Sequence, residues 1–302
     1  MEFREDVYLG MRHRLYPPLM NGGGCCKTVE HVEELSQSLA GGIVLGSFTK
    51  DDRPGNIGNV WSVENGTGLN SLGMPNKGRD YLEEHLPEMV AIAHDREKAL
   101  IVNVAGFNPS EYAILAATAF NKGADAVELN LGCPNVLTSD GARKPIASFN
   151  LEVMEEIICT VKRAVGDDAV WVKVSPYSDP ELLKGAAAVL LRHPIVKAVV
   201  AINTFPNAYG LNDNGESVIG VGYAGLSGKA LKNIGLGQVK QWYDALQGKK
   251  GLIAVGGIGT GRDIKDYETV GAGAFQMTTE LLKNGDLNPN CFERIANEYL
   301  DM

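Results

Sequence analysis

The chain has 302 residues, of which 44% are hydrophobic and 22% charged, with 36 glycines, five cysteines and a formal net charge of −9. That length accommodates two ordinary domains or one large α/β barrel, and the composition excludes a disordered chain. The acidic balance excludes a dedicated nucleic-acid binder, which would carry a basic face.

Short β-branched runs alternate with amphipathic stretches along the whole chain. In chain order, strands are predicted at Pro18–Asn21, Ile43–Ser47, Leu100–Val104, Ala126–Asn130, Val170–Val174, Ala198–Ile202, Leu252–Val255 and Ala274–Met277. Helices are predicted between and after them at Thr28–Ala40, Gly78–His94, Pro109–Lys122, Asn150–Val165, Asp179–Arg192, Lys229–Gln247, Gly261–Val270 and Glu280–Glu298. Asn108 before Pro109 and Asp179 before Pro180 are helix starts, whereas Gly41, Gly123 and Gly166 read as stops. Near-continuous apolar strands are those of a buried parallel sheet. Eight strand–helix units are what a (β/α)8 TIM barrel requires, and an open doubly wound sheet usually has fewer. Residues 1–302 are therefore expected to form a single (β/α)8 barrel domain. Phe48–Lys77 and Thr204–Gly228, after strands two and six, are too long for tight connections and should hold extra structure at the catalytic mouth.

The segment Met1 to Arg14 has no apolar run, so no signal peptide is read there. No stretch approaches the roughly 20 apolar residues of a membrane helix. Cys25, Cys26, Cys133, Cys159 and Cys291 are odd in number, without CxxC spacing, which excludes a disulfide framework and the usual zinc and iron–sulfur motifs. A cytoplasmic location is expected.

In a barrel, the carboxyl ends of the strands line the active site. Those positions here are Asn21, Ser47, Asn103, Asn130 with Cys133, Lys173, Asn203, Gly256–Gly257 and Thr278–Thr279. Such neutral donors and acceptors suit a flat heterocycle rich in amide groups. An Asp/Glu/His cluster of hydrolase type is not expected, and His13, His31, His85, His94 and His193 are assigned no role. The Gly256-Gly-Ile-Gly-Thr-Gly261 turn opens a helix, so its N–H groups and the helix dipole can hold a phosphate. Gly225 to Gly228 offers a further phosphate-facing turn. Cys133, flanked by Pro134 and two Asn, reads as an exposed thiol able to act as a base. Lys173, in an otherwise apolar strand, must aim into a polar interior, as a Schiff-base lysine or as a cation beside a cofactor ring.

These residues resemble the class 1 dihydroorotate dehydrogenase family. Glu128-Leu-Asn-Leu-Gly-Cys-Pro-Asn135 is similar to its active-site loop, and Asn70-Ser-Leu-Gly-Met-Pro-Asn76 to its substrate loop. Asn21 to Gly24, Val172 to Pro176, Ile202 to Thr204, Gly225 to Lys229 and Gly256 to Ile258 match in the same order. The resemblance implies an FMN-dependent barrel that oxidises (S)-dihydroorotate to orotate in de novo pyrimidine synthesis. Cys133 would take the C5 proton while hydride leaves C6 for flavin N5. Asn70, Asn130, Asn135, Asn203 and Thr204 would bind substrate, with the backbone of Leu72, Gly73 and Met74. Gly22, Gly23, Gly24, Ser47, Asn103, Asn130, Lys173 and Ile202 would contact the flavin, and Gly225, Gly256, Gly257, Thr278 and Thr279 its ribityl phosphate. Fumarate, or less favourably an iron–sulfur/FAD subunit, would accept the electrons, and a homodimer is implied.

Two positions depart from that pattern. The family has a Lys before the Ser that follows strand two, on the flavin and the orotate carboxylate, and here Gly46 stands there. Lys50 and Arg53 are the candidates to replace it. The loop from Leu137 to Lys144 is also longer and more polar than usual. A related flavoenzyme acting on another dihydropyrimidine or an enone is the alternative. A Schiff-base lyase using Lys173 and a barrel without turnover are more distant readings.

Overall fold

The structure, a computed structural model, describes residues 2–3, 9–11, 13–138, 141–282 and 285–302. Its strands are β1 (Leu19–Asn21), β2 (Gly42–Phe48), β3 (Trp61–Glu64), β4 (Thr67–Asn70), β5 (Ala99–Val104), β6 (Ala126–Asn130), β7 (Val170–Val174), β8 (Val196–Ala201), β9 (Phe205–Ala208), β10 (Ala224–Gly228), β11 (Gly251–Val255) and β12 (Ala274–Met277). Its helices are α1 (Val29–Ser36), α2 (Gly78–His94), α3 (Pro109–Asn121), α4 (Leu151–Val165), α5 (Pro180–Arg192), α6 (Lys232–Leu246), α7 (Gly261–Thr269) and α8 (Asn290–Leu300). Eight parallel strands close into a barrel in the order β1-β12-β11-β8-β7-β6-β5-β2. The four others form one antiparallel sheet, β3-β4-β10-β9. Both predicted insertions thus contribute to a single accessory sheet.

Strand parity builds the barrel's layers, because successive side chains point to opposite faces. Val170, Val172 and Val174 face the helices, while Trp171 packs inside with Met20, Val44, Ile101, Val200 and Ile253. The Trp171 indole N–H donates to Leu9 O at 2.9 Å, tying the amino-terminal segment to this apolar layer. Outside, α4 buries Met154, Ile157, Ile158 and Val161 on one stripe. Each such aliphatic side chain contributes about 1.5–3 kcal/mol on burial.

Most predicted boundaries shift by a residue or two, but three helices change more. The first helix ends at Ser36, not Ala40. Ser36 and Ser38 turn their hydroxyls onto the carbonyls of Glu33 and Leu35, and the Lys98 ammonium takes Ser38 O and Ala40 O. These side-chain bonds compete with a further helical turn. Gly41 is therefore no helix stop; a Cβ there would lie 2.0 Å from Pro17 O. The last helix begins at Asn290, not Glu280, directly after Pro289. Residues 283–284 of the predicted helix lie outside the described ones. Lys229–Gln247 divides into a 3-10 turn, Lys229–Leu231, followed by α6.

Candidate active site

One layer above the apolar plug, the barrel interior turns polar. Lys173 shares the parity of Trp171, and Glu128 and Asn130 share that of Ala126, so all point inward. The Lys173 ammonium donates to Gln276 Oε1 at 2.9 Å and lies 3.6 Å from Glu128 Oε1. Gln276 donates in turn to Glu128 Oε2 at 2.6 Å, and Asn103 donates to Glu128 Oε1. Glu128 is fully buried, so its charge needs each of these partners.

The mouth above this layer is a cavity of about 1020 Å³, counting its opening to solvent. Its polar wall is a linked set of amides. Asn130 donates to Ser47 Oγ at 3.0 Å and accepts from Asn203 Nδ2 at 3.0 Å. Asn135 donates to the backbone oxygen of Asn70 at 2.7 Å and to its side-chain oxygen at 3.1 Å. Asn70 is held at the end of β4, paired with Gly225 on one side and Trp61 on the other. The accessory sheet thereby brings residues from both insertions onto the barrel mouth.

Cys133 is half-buried in the cavity wall, just past β6. Burial pushes its thiol above the ordinary range, against the Asn135 N–H and the charges of Lys144, Lys173 and Arg53, which pull it down. The Lys144 ammonium donates to Gly106 O at 2.5 Å and lies over the rings of Phe107 and Tyr112. Arg53 donates to Gly73 O at 3.2 Å and Leu137 O at 3.0 Å, stapling two loops. Lys27, also on the cavity wall, is pulled down to about 8 by burial. At the far end, Thr279 donates to Ser227 Oγ at 3.0 Å beside Gly228, Gly257 and Thr278. Gly257 sits at φ +70°, and a Cβ there would lie 2.8 Å from Lys232 Cβ. A side chain would therefore displace β11 from α6.

The family model for Dihydroorotate dehydrogenase matches residues 10–301. The chain belongs to the dihydroorotate dehydrogenase family. It is an oxidoreductase of that type. The chain is 32% identical over 294 residues to the dihydroorotate dehydrogenase (fumarate) of Kluyveromyces lactis, covering 94% of this chain and 89% of that one. It is 31% identical over 291 residues to dihydroorotate dehydrogenase A (fumarate) of Lactococcus lactis, covering 93% and 88%. The fold is similar to a dihydroorotate dehydrogenase from Eimeria tenella crystallised with ferulenol, with a TM-score of 0.80 at 19% identity over 99% of this chain and 85% of that one.

Within this dihydroorotate dehydrogenase fold, the residues predicted from strand ends and motifs converge on one cavity, with four exceptions. Asn21, Gly22, Asn103 and Gly225 lie behind its wall, the Asn21 amide being bonded both ways to the Val44 backbone. Gly22 is engaged with Met277 O, and Asn103 belongs to the Glu128 layer. A Cβ on Gly225 would meet Thr204 Oγ1 at 2.1 Å, so that residue backs the amide wall instead of the phosphate-type end. Ser227 and Gly228 reach that end in its place. The helix dipole expected there is also taken: Asp263 accepts from the N–H groups of Gly259 and Thr260, and Glu298 from that of Gly261. Only Gly256, Gly257 and Ile258 of the turn line the cavity.

Sequence reasoning missed Lys27, Trp61 and Gln276 on the wall, and Glu128 behind it, whereas the Gly225 to Gly228 turn it singled out reaches the wall through Ser227 and Gly228. Glu128 and Gln276 carry a usable signal, as polar residues at the inward parity of short apolar strands. Gly46 cannot carry the Lys that the resemblance expects. It has φ +113°, and a Cβ would lie 2.4 Å from Asn103 O and 2.9 Å from Phe48 N. Gly46→Ala is expected to cost roughly 2–5 kcal/mol, read as a lower urea midpoint with unchanged slope.

Proposed function

We propose that the protein oxidises (S)-dihydroorotate to orotate, with FMN as its cofactor and Cys133 as general base. The observation that carries this reading is the convergence of Asn70, Asn130, Asn135 and Asn203 with Cys133 in one cavity. Each Asn offers a donor and an acceptor, matching the alternating N–H and C=O groups of a pyrimidine ring.

The residues present fit FMN. Beside them, Asn135 Oδ1, a buried acceptor without a partner among the described residues, is left for the substrate ring. A Cβ on Gly24 would meet no heavy atom within 4 Å, so the backbone there borders open space in the cavity and leaves a flat ring room to approach it. Gly23, Gly24, Ser47, Ile202 and Lys173 would hold the ring, and Ser227, Gly228, Gly256, Gly257, Thr278 and Thr279 the phosphate. When bound, FMN supplies the two-electron acceptor for hydride leaving C6. The asparagines fix the substrate plane, and Cys133, as thiolate, removes the C5 proton. Lys173 would place positive charge beside the flavin ring.

Fumarate as final acceptor, a homodimer and a cytoplasmic location complete the proposal, as does a place in pyrimidine synthesis. Among the described residues, no helix is long and apolar enough to cross a membrane. The second reading, a flavoenzyme for another dihydropyrimidine or an enone, is favoured by Gly46. One experiment separates them: anaerobic titration of the purified protein with dihydroorotate. The proposal expects a flavin spectrum that bleaches; a flavin that stays oxidised selects the second reading.

A further inference from the structure

The charges around the cavity do not balance. Among its described wall residues there is no Asp or Glu, yet Lys27 and Lys173 both face it. Lys173 is paired with Glu128 from behind. Arg53 and Lys144 are spent on loop carbonyls. Lys50 borders an outer groove and does not reach the cavity wall.

Lys27 differs from all of these. Its ammonium has no hydrogen-bond or ion-pair partner among the described residues, although the thiols of Cys25, Cys133 and Cys26 are near enough to act on it electrostatically. Asp51, Asp52 and Asp80 share the outer groove with it and make no ion pair to it. Its backbone is pinned, since Lys27 N–H donates to His31 Nδ1 at 3.3 Å, directly before the Thr28 cap of α1. A cation at a helix amino terminus opposes the macrodipole, and an unpaired one in a half-buried wall adds a desolvation cost. An anionic ligand relieves both.

We propose that Lys27 binds the carboxylate of the substrate, entering from the β1–α1 loop because Gly46 on β2 can hold no side chain. This assignment rests on the dihydroorotate reading for the ligand's ring. Beyond that reading, it makes Lys27 a residue that selects ring acids over neutral rings.

The test is calorimetric titration of the purified holoenzyme with orotate, fumarate and uracil, in wild type, Lys27→Met and Lys27→Arg. Lys27→Met is expected to weaken orotate and fumarate about 10- to 100-fold, with uracil changed less than about twofold and Lys27→Arg recovering most of the loss. Unchanged uracil binding also shows that the variant folds. Equal losses for all three ligands, or none for the acids, overturn the assignment. Wild type that binds fumarate but not orotate overturns the dihydroorotate reading, and the fumarate arm then decides Lys27. Wild type that binds neither acid overturns both.

Discussion

Cys133→Ala is expected to slow dihydroorotate-driven flavin reduction about 10²- to 10⁴-fold at neutral pH while the protein keeps its FMN. The thiol borders the same cavity as the four asparagines, so its removal deletes the base without dismantling the ring site. The pH profile carries the sharper test. Burial raises the thiol, and Lys144, Lys173 and Arg53 only partly offset that. At neutral pH most molecules therefore hold the proton on sulfur, and the thiolate fraction grows about tenfold per pH unit below the thiol's own value. The wild-type reductive rate should climb from neutral into alkaline pH, and the Ala variant should lose that slope. Anaerobic stopped-flow at several pH values measures both. A flat wild-type profile, or an Ala variant of wild-type speed, removes Cys133 as the base.

Lys173→Met should destabilise the fold by about 3–5 kcal/mol, because it strands a buried carboxylate. The Glu128 side chain is 0% exposed and that of Lys173 6%, so water cannot replace the lost ammonium. Gln276 bridges the two, and its orientation depends on both charges. Lys173→Met/Glu128→Gln should recover most of the stability, since the carboxamide keeps the shape without the charge. Urea midpoints of the single and double variants decide the matter. Equal stability of single and double variants would mean the pair is not coupled.

Much of the site was legible because barrel strands present their carboxyl ends to one mouth. Asn130, Lys173 and Asn203 could be placed from strand ends alone, and Cys133 from its position just beyond one. The residues that escaped were those whose role depends on what stands across the barrel. Glu128 is one of a strand's polar residues until Lys173 and Gln276 are seen around it. Gly225 reads as a phosphate turn until β10 pairs with β4 and aims it at Thr204. Lys27 gives no periodic signal at all, since it lies in a loop before a capped helix.

By itself the sequence determined the eightfold alternation, the inward and outward faces of each strand, and the residue types gathered at the mouth. These follow from periods of 2 and 3.6 residues, which are local properties of the chain. Only the tertiary structure decided which charges neutralise one another, and that the two insertions join into one sheet. It also decided that Lys27 faces the cavity without a partner among the described residues, while Gly46 has no room for a side chain. Those outcomes depend on distances between residues far apart in the chain, which barrel closure sets and no local pattern encodes.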